Sequence, residues 1–587
     1  RRGWISTGTM NTPNASTASD MKATRQPSPT TRQKLSPNRS PRKGSTSPYR
    51  SSPNLPHFLG HPETFLPPVL FALTCAKVLL MPTYRSTDFD VHRNWLAITR
   101  NLPLSQWYFD DVNGTTVHTL DYPPAFAFFE WILSNNPLTM FFLQNDRCLD
   151  LLPDYDNTPS TRCVIFQRTT VILSDVILWL GAWMACQALH RGRSKHHTTL
   201  CFLLIVLNPG LLWLDHVHFQ YNGMLLGILL ASLGCIMEGI NSPSNVWAFD
   251  LYHLAGAALY GLLLNLKHLY LPLAPVYFCY FLRKYCWGEG KFAPARFIVL
   301  VIVTAKSLAL PWVPFLLQDS PKDQLLQILK RLFPFGRGLV HDYWAANVWA
   351  FYSFANKVFR FLAGRLPLPI QNLPEPTPLI CAICLFLSIL PGLVVVSRRP
   401  TKVKLLQTVV YTSMCSFMFA YHVHEKAILT ALIPLTLLVE HSGDRDHART
   451  HNYLFWQSSL WGLLGLFPLL FRPMELVFKV VSYFTYLEWA SYLMTTPPLW
   501  LVQRQRLSAA IVGLVIGFLE FWPKHNKWEF LPLMITSLVC AHGLIGCWAL
   551  SLYVLLQTPR TSHTTRSQPA AAIDPVPTAR TTHAKES

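Results

Sequence analysis

The 587-residue chain is poor in charge. Only 14% of its residues are Asp, Glu, Lys or Arg, while 50% are hydrophobic. That balance excludes an ordinary soluble domain and points to a polytopic membrane protein. Acid is scarcer still: 31 Asp and Glu stand against 50 Lys and Arg. The excess does not imply nucleic-acid binding, because no aromatic-basic surface module accompanies it. Basic residues gather instead in tails and short loops between apolar runs, as the positive-inside rule requires. The thirteen Cys show no disulfide framework. Several lie inside apolar runs, where Cys packs as a small hydrophobe. The formal CxxC of Cys381 and Cys384 sits in "LICAICLFLSIL" without the βαβ context or second pair that a redox or metal role needs. HExxH is lacking, since Ile428 stands where its second His belongs. No internal repeat is visible, and the ionisable clusters lie at span ends on one face, which disfavours a transporter. Residues 1–57 are rich in Ser, Pro, Thr, Arg and Lys. They cannot pack a core and contain no apolar signal-peptide segment, so a disordered basic tail is expected there.

What the chain has in abundance is apolar length. Spans are expected near 64–82, 163–190, 199–215, 223–240, 248–266, 269–283, 297–317, 376–397, 405–421, 427–440, 453–471, 475–499, 508–522 and 530–556, about fourteen in all at ~20 residues each. The fold class is therefore an all-α polytopic membrane domain over 58–556, followed by a tail at 557–587. The segment 124–144 is apolar but broken by Asn135-Asn136-Pro137, and reads as a re-entrant or interfacial helix. The basic loops at 191–195, 283–296, 398–404, 445–449 and 504–506 all fall on the side of both tails, which is expected to be cytosolic. The polar clusters fall opposite: loop 83–122, "DHVHFQYNG" (215–223), "LKHLY" (266–270), loop 318–375 and "HVHEK" (422–426). Their alternation with the basic loops places them on one non-cytosolic site.

Each cluster offers candidates. In "TDFDVHRNWLAI" the spacing of Val91, Trp95 and Ile98 predicts a helix lying flat on the membrane, with Trp95 and Trp107 at the interface. Asp88 reads as a helix N-cap or a catalytic base; Asp90 reads as a first-turn acid matched to the helix dipole or, with Arg93, a substrate contact. Asp88-Phe89-Asp90 also has the DxD form of some metal sites, but nothing nearby completes an oxygen cage, and no metal or cofactor is expected. Pro123-Pro124 holds Asp121 and Tyr122 at the entrance of the next segment. His216, His218, Gln220 and Asn222 follow, then Lys267 and His268. In "RLFPFGRGLVHDYWAANVWAFY" (331–352), Arg337 suits a phosphate, Trp344 suits a sugar ring, and His341 and Asn347 suit sugar hydroxyls. His424, Glu425 and Lys426 stand at the mouth of a span, where ionisable groups are costly unless used or snorkelling.

A carboxylate, aromatic plates and cations on one membrane face suit group transfer from a lipid phosphate. The leaving phosphate needs positive charge, the acceptor hydroxyl needs a base, and a single displacement would invert the anomeric centre with no covalent carrier.

At this point the residues resemble a known family. "TDFDVHRNW", "LDYPP", "DHVHFQYNG", "RLFPFGRGL", "YWAANVWA" and "HVHEKAIL" are together similar to the dolichyl-phosphate-glucose glucosyltransferases of the endoplasmic reticulum, GT-C enzymes that complete the lipid-linked oligosaccharide for N-glycosylation. The resemblance covers residues 64–556. Within the family, "GLVHDYWAANVWAFY" is most similar to the enzymes that add the second glucose in α-1,3 linkage. The alternatives are the first-glucose sister and, in another class, a transporter. The resemblance implies dolichyl-phosphate-glucose as donor, a monoglucosylated dolichol-diphosphate oligosaccharide as acceptor, and luminal catalysis without a metal. It makes Asp88 the catalytic carboxylate and places Asp121, His424 and Glu425 in the site. Ala346 departs from it, standing where a Pro is usual, as does the long N-terminal tail.

Overall fold

The computed structural model describes residues 60–557 apart from 110–117, 152–157, 194, 242–249, 289, 341–343, 366–371, 442–444, 471–474, 495–498, 523–527 and 529. The tail expected at 1–57 and nearly all of the one at 557–587 lie outside the described residues.

The elements that position the site come early. They are α1 (Pro62–Leu79), α2 (Thr87–Asn101), α3 (Pro124–Asn135), α4 (Pro137–Phe142), α5 (Thr161–Leu189), α6 (Lys195–Val206), the single turn α7 (Pro209–Leu211) and α8 (Asn222–Asn241). Among the described residues, seven helical segments are long and apolar enough to cross a membrane, by length and composition: Pro62–Leu79, Thr161–Leu189, Lys195–Val217, Asn222–Asn241, Pro294–Leu316, Pro378–Arg398 and Leu531–Leu556. Of the other expected spans, some are unbroken helices, Lys402–Phe419, Arg445–Leu464, Glu475–Leu493 and Leu499–Phe521, and the rest are shorter or broken. The run 269–283 divides into a tight turn His268–Leu273, a helix Ala274–Tyr280 and a π-helical turn Phe281–Cys286. The run 427–440 holds only the helix Leu429–Thr436, which is wholly buried apart from Thr430. The break expected in 124–144 is present: the Asn136 side chain accepts from the Thr139 amide and starts α4 afresh.

α5 packs along α8, and α8 along the helix Leu251–Leu266. The α5–α8 crossing needs glycine on both sides. A Cβ at Gly181 would overlap the carbonyl of Gly227, and one at Gly227 would lie 2.5 Å from the carbonyl oxygen of Ile177. Small residues let membrane helices approach this closely, where van der Waals contact is a main attraction.

Three expectations are corrected. Trp95 and Trp107 do not sit at a lipid interface: they are 2% and 3% exposed. Trp95 packs on Tyr122 and Phe126 and donates to the Thr119 carbonyl; Trp107 packs on Phe128 and Phe315 and donates to the Leu102 carbonyl. The aromatic face of α2 therefore faces protein. The chain does hold a disulfide, Cys148–Cys163, beside Leu96 of α2. It staples the turn Arg147–Leu149 to the first turn of α5. Ionisable groups are also not confined to span ends: Arg168 and Asp175 are buried well inside α5, and Asp175 meets the buried Lys77 from the last turn of α1. Cys381 and Cys384 are unpaired. Cys381 packs against Leu339 and Trp349.

Candidate active site

Asp88 is at the second position of α2, but its side chain does not cap the helix. Ser86 is the N-cap residue, and its hydroxyl donates to the carbonyl of His218 instead. The carboxylate turns away, toward three side-chain nitrogens on one oxygen. Lys426 Nζ and Gln220 Nε2 each lie 2.6 Å from Oδ2, and His218 Nε2 lies 3.2 Å from it. Among the described residues no hydrogen bond engages Oδ1. Asp88 thus has one oxygen held and one available. Burial alone would raise its carboxyl, but Lys426 and the His218 ring outweigh burial and hold it well below the usual carboxylate range.

The stretch 215–223 divides its labour. The last residues of the third candidate span, Leu212–Val217, form a π-helical turn, a form that often marks functional sites. Asp215 and His216 face back into the scaffold. Asp215 accepts from the amides of Asn222 and Gly223 at 3.1 and 2.6 Å and from the Asn222 side chain at 3.0 Å. It places a carboxylate at the N-terminus of α8, where the helix dipole favours it. His216 Nε2 lies 3.1 Å from Asp175 Oδ2, and Lys77 Nζ lies 2.7 Å from the same atom. Next, Phe219 has φ +79°, in the left-handed region, which is unusual for a bulky residue. Residues 218 and 220 on either side of it both reach Asp88. Asn222 steadies Gln220 by donating to its Oε1 at 2.8 Å, so its role toward Asp88 is indirect.

The remaining candidates fall into two groups. Lys267 lies over the Tyr122 ring at 4.8 Å, and its charge faces Asp88, Asp121 and Asp215. Glu425 is 3% exposed, and neither carboxyl oxygen has a hydrogen-bond partner among the described residues. Burial raises its carboxyl despite the adjacent Lys426. The loop carrying His424 to Lys426 is tied to the 331–352 region: His422 donates its amide to the Leu339 carbonyl, and Val423 bridges Val340. His424 sets its ring edge-on to His422. Asp90, His268, Trp344 and Asn347 are not gathered on the carboxylate in this way. Asp90 pairs with Arg93 one turn on, at 3.4 Å. His268 packs on Phe333. Arg337 closes the turn Phe335–Arg337. Trp344 lies under Lys357. Asn347 caps the helix Val348–Ala363 with its oxygen and donates to the Phe417 carbonyl with its nitrogen, so both ends of its amide serve structure. His341 lies outside the described residues.

Sequence reasoning missed Tyr84, Lys77, Arg168 and Asp175. Arg168 donates to the carbonyls of Tyr84, His216 and Val217, fixing the backbone that presents His218. The available signal was an ionisable residue inside an apolar run, in "TCAKVLL" and "FQRTTVILSDVIL".

A carboxylate held on one oxygen by Lys426, Gln220 and His218 and open on the other, inside a helical membrane bundle, has the arrangement that a general base needs. The chain belongs to the ALG6, ALG8 glycosyltransferase family, whose model matches residues 73–551. It is a multi-pass membrane glycosyltransferase. It is 36% identical over 519 residues to a mouse protein named dolichyl pyrophosphate Glc1Man9GlcNAc2 alpha-1,3-glucosyltransferase, covering 81% of this chain and 93% of the mouse protein. Proteins of the same name from Gibberella zeae and Arabidopsis thaliana are 37% and 34% identical, over 80% and 82% of this chain and 94% and 96% of theirs.

Proposed function

We propose that this enzyme transfers glucose from dolichyl-phosphate-glucose to a monoglucosylated, dolichol-diphosphate-linked oligosaccharide, forming an α-1,3 linkage with inversion. The observation that carries the reading is the asymmetric Asp88 carboxylate. Oδ1 takes the proton of the acceptor hydroxyl as its oxygen bonds to the anomeric carbon, the bond from that carbon to the phosphate oxygen breaks, and dolichyl phosphate leaves with the electron pair. Lys426 and Lys267 supply charge for the leaving phosphate. The acceptor assignment is supported by the names of the relatives above and by the 338–352 resemblance. The architecture is proposed to be GT-C, with about fourteen membrane helices. The site faces the lumen of the endoplasmic reticulum and the tails face the cytosol. The Cys148–Cys163 bridge beside α2 supports that orientation, because disulfides persist in oxidising compartments.

The decisive assay offers purified protein the unglucosylated and the monoglucosylated acceptor with the same donor. Faster transfer to the monoglucosylated one is expected. The reverse preference would reassign the chain to the first-glucose reaction.

Lys267 adds a pH test. Burial and the neighbouring Lys426 push it down to about 8, so it is a cation below that pH and neutral above. The donor KM should rise as pH climbs through this value, and Lys267→Arg should move the rise to higher pH. A donor KM that is flat across one unit on either side would remove Lys267 from the phosphate site.

A further inference from the structure

We propose that Tyr84 is a positioning residue that fixes the tautomer of His218, and thereby makes the basicity of Asp88 depend on the proton at one ring nitrogen. The inference rests on Asp88 being the base. Tyr84 Oη lies 2.5 Å from the Leu469 carbonyl oxygen and 3.2 Å from His218 Nδ1. A phenol has one hydrogen, and a carbonyl oxygen only accepts. The hydrogen therefore points at Leu469, and Oη accepts from the ring. His218 Nδ1 carries a proton in both ionisation states. The nitrogen that can gain or lose one is Nε2, which faces Asp88 Oδ2 at 3.2 Å. In the neutral ring Nε2 is a bare lone pair and offers the carboxylate nothing. Only the imidazolium donates to it.

The scaffold is built to keep this contact in register. Arg168 donates to the carbonyl of Tyr84 on one side and to those of His216 and Val217 on the other. Ser86 donates to the carbonyl of His218 itself. Both partners of the Tyr84–His218 contact therefore hang on one guanidinium.

The charges that face His218 are Asp88 on α2, Lys426 on the turn Glu425–Ile428 and Arg168 on α5, with Lys267 acting on the same carboxylate. Burial, then Lys426, hold the ring below the ordinary imidazole range. The sign follows. At low pH the imidazolium grips Oδ2 and weakens the base; as pH rises through the His218 titration the grip is released and the rate increases.

Tyr84→Phe keeps the ring and removes only the oxygen. The neutral His218 ring is then able to carry its proton on Nε2 and donate to Asp88 at every pH. In purified full-length enzyme, kcat near neutrality should fall about tenfold, the acid limb of the kcat profile should flatten, and both KM values should stay close to wild type. His218→Gln, whose amide nitrogen stands near Nε2 and does not titrate, should give the same flattened limb. The second readout needs no activity. In protein labelled with ¹⁵N-histidine, the signal lost in His218→Gln should report a proton on Nδ1 in wild type and on Nε2 in Tyr84→Phe. A wild-type acid limb in Tyr84→Phe, or a wild-type ring protonated on Nε2 alone, would overturn the proposal. Wild-type enzyme that transfers no glucose would instead sink the assigned reaction, and the nitrogen spectra would still decide the tautomer.

Discussion

Asp88→Asn should yield a folded protein that transfers glucose about 10²–10⁴-fold more slowly. The asparagine oxygen is able to keep the bonds from Lys426 and Gln220 that Oδ2 now accepts. Its NH₂ then occupies the place of Oδ1 and presents hydrogens where the acceptor hydroxyl brings its own. A capping role would predict almost no change, since Asn caps as well as Asp, but the Asp88 side chain makes no cap. Glu425 provides the contrast one residue before Lys426. Neither of its carboxyl oxygens has a hydrogen-bond partner among the described residues, so the isosteric Glu425→Gln should retain most of the activity. The check is kcat of both variants beside their thermal unfolding. Near-wild-type turnover in well-folded Asp88→Asn would remove the base assignment.

Asp175→Ala should destabilise the protein by about 3–5 kcal/mol, the usual loss when one partner of a buried ion pair is removed. Asp175 Oδ2 serves Lys77 and His216 together, and the Lys77 and Asp175 side chains are each 4% exposed. Without the carboxylate, an ammonium is stranded inside α1. Replacing both members, as Lys77→Met with Asp175→Leu, should recover much of the loss because the desolvated charge goes too. Thermal unfolding in detergent measures both. An Asp175→Ala protein as stable as wild type would show that the pair contributes nothing.

Much of this was legible in the sequence because membrane segments obey simple rules. Apolar length located the long spans, and the alternation of basic loops with polar clusters brought Asp88, His218, Gln220, Lys267 and Lys426 to one site before any contact was known. The periodicity of 87–98 gave α2, and Asn135-Asn136-Pro137 gave the break before α4. The role of each polar residue was not legible. Asp215 and His216 are as polar as His218 and Gln220, yet a π-helical turn and a left-handed Phe219 send the first pair backward and the second toward Asp88. Such backbone irregularities leave no periodic trace. Trp95 and Trp107 misled because an interfacial aromatic and a buried one look alike in sequence. The disulfide was missed because connectivity is a matter of proximity, and Cys163 reads as part of an apolar run.

The glycine crossing of α5 and α8 has a consequence for inherited variation. Gly227 lies one turn along α8 from Asn222 and Gly223, the residues that hold Asp215, and Gly181 lies on the helix that carries Arg168 and Asp175. A single added methyl at either glycine would push these two rods apart, and with them the backbone that aims His218 and Gln220. Such an allele would reach normal abundance in cells if the bundle tolerates the shift, and would still be deficient in glucosylation. Its lesion would map to a residue that touches neither lipid phosphate nor sugar.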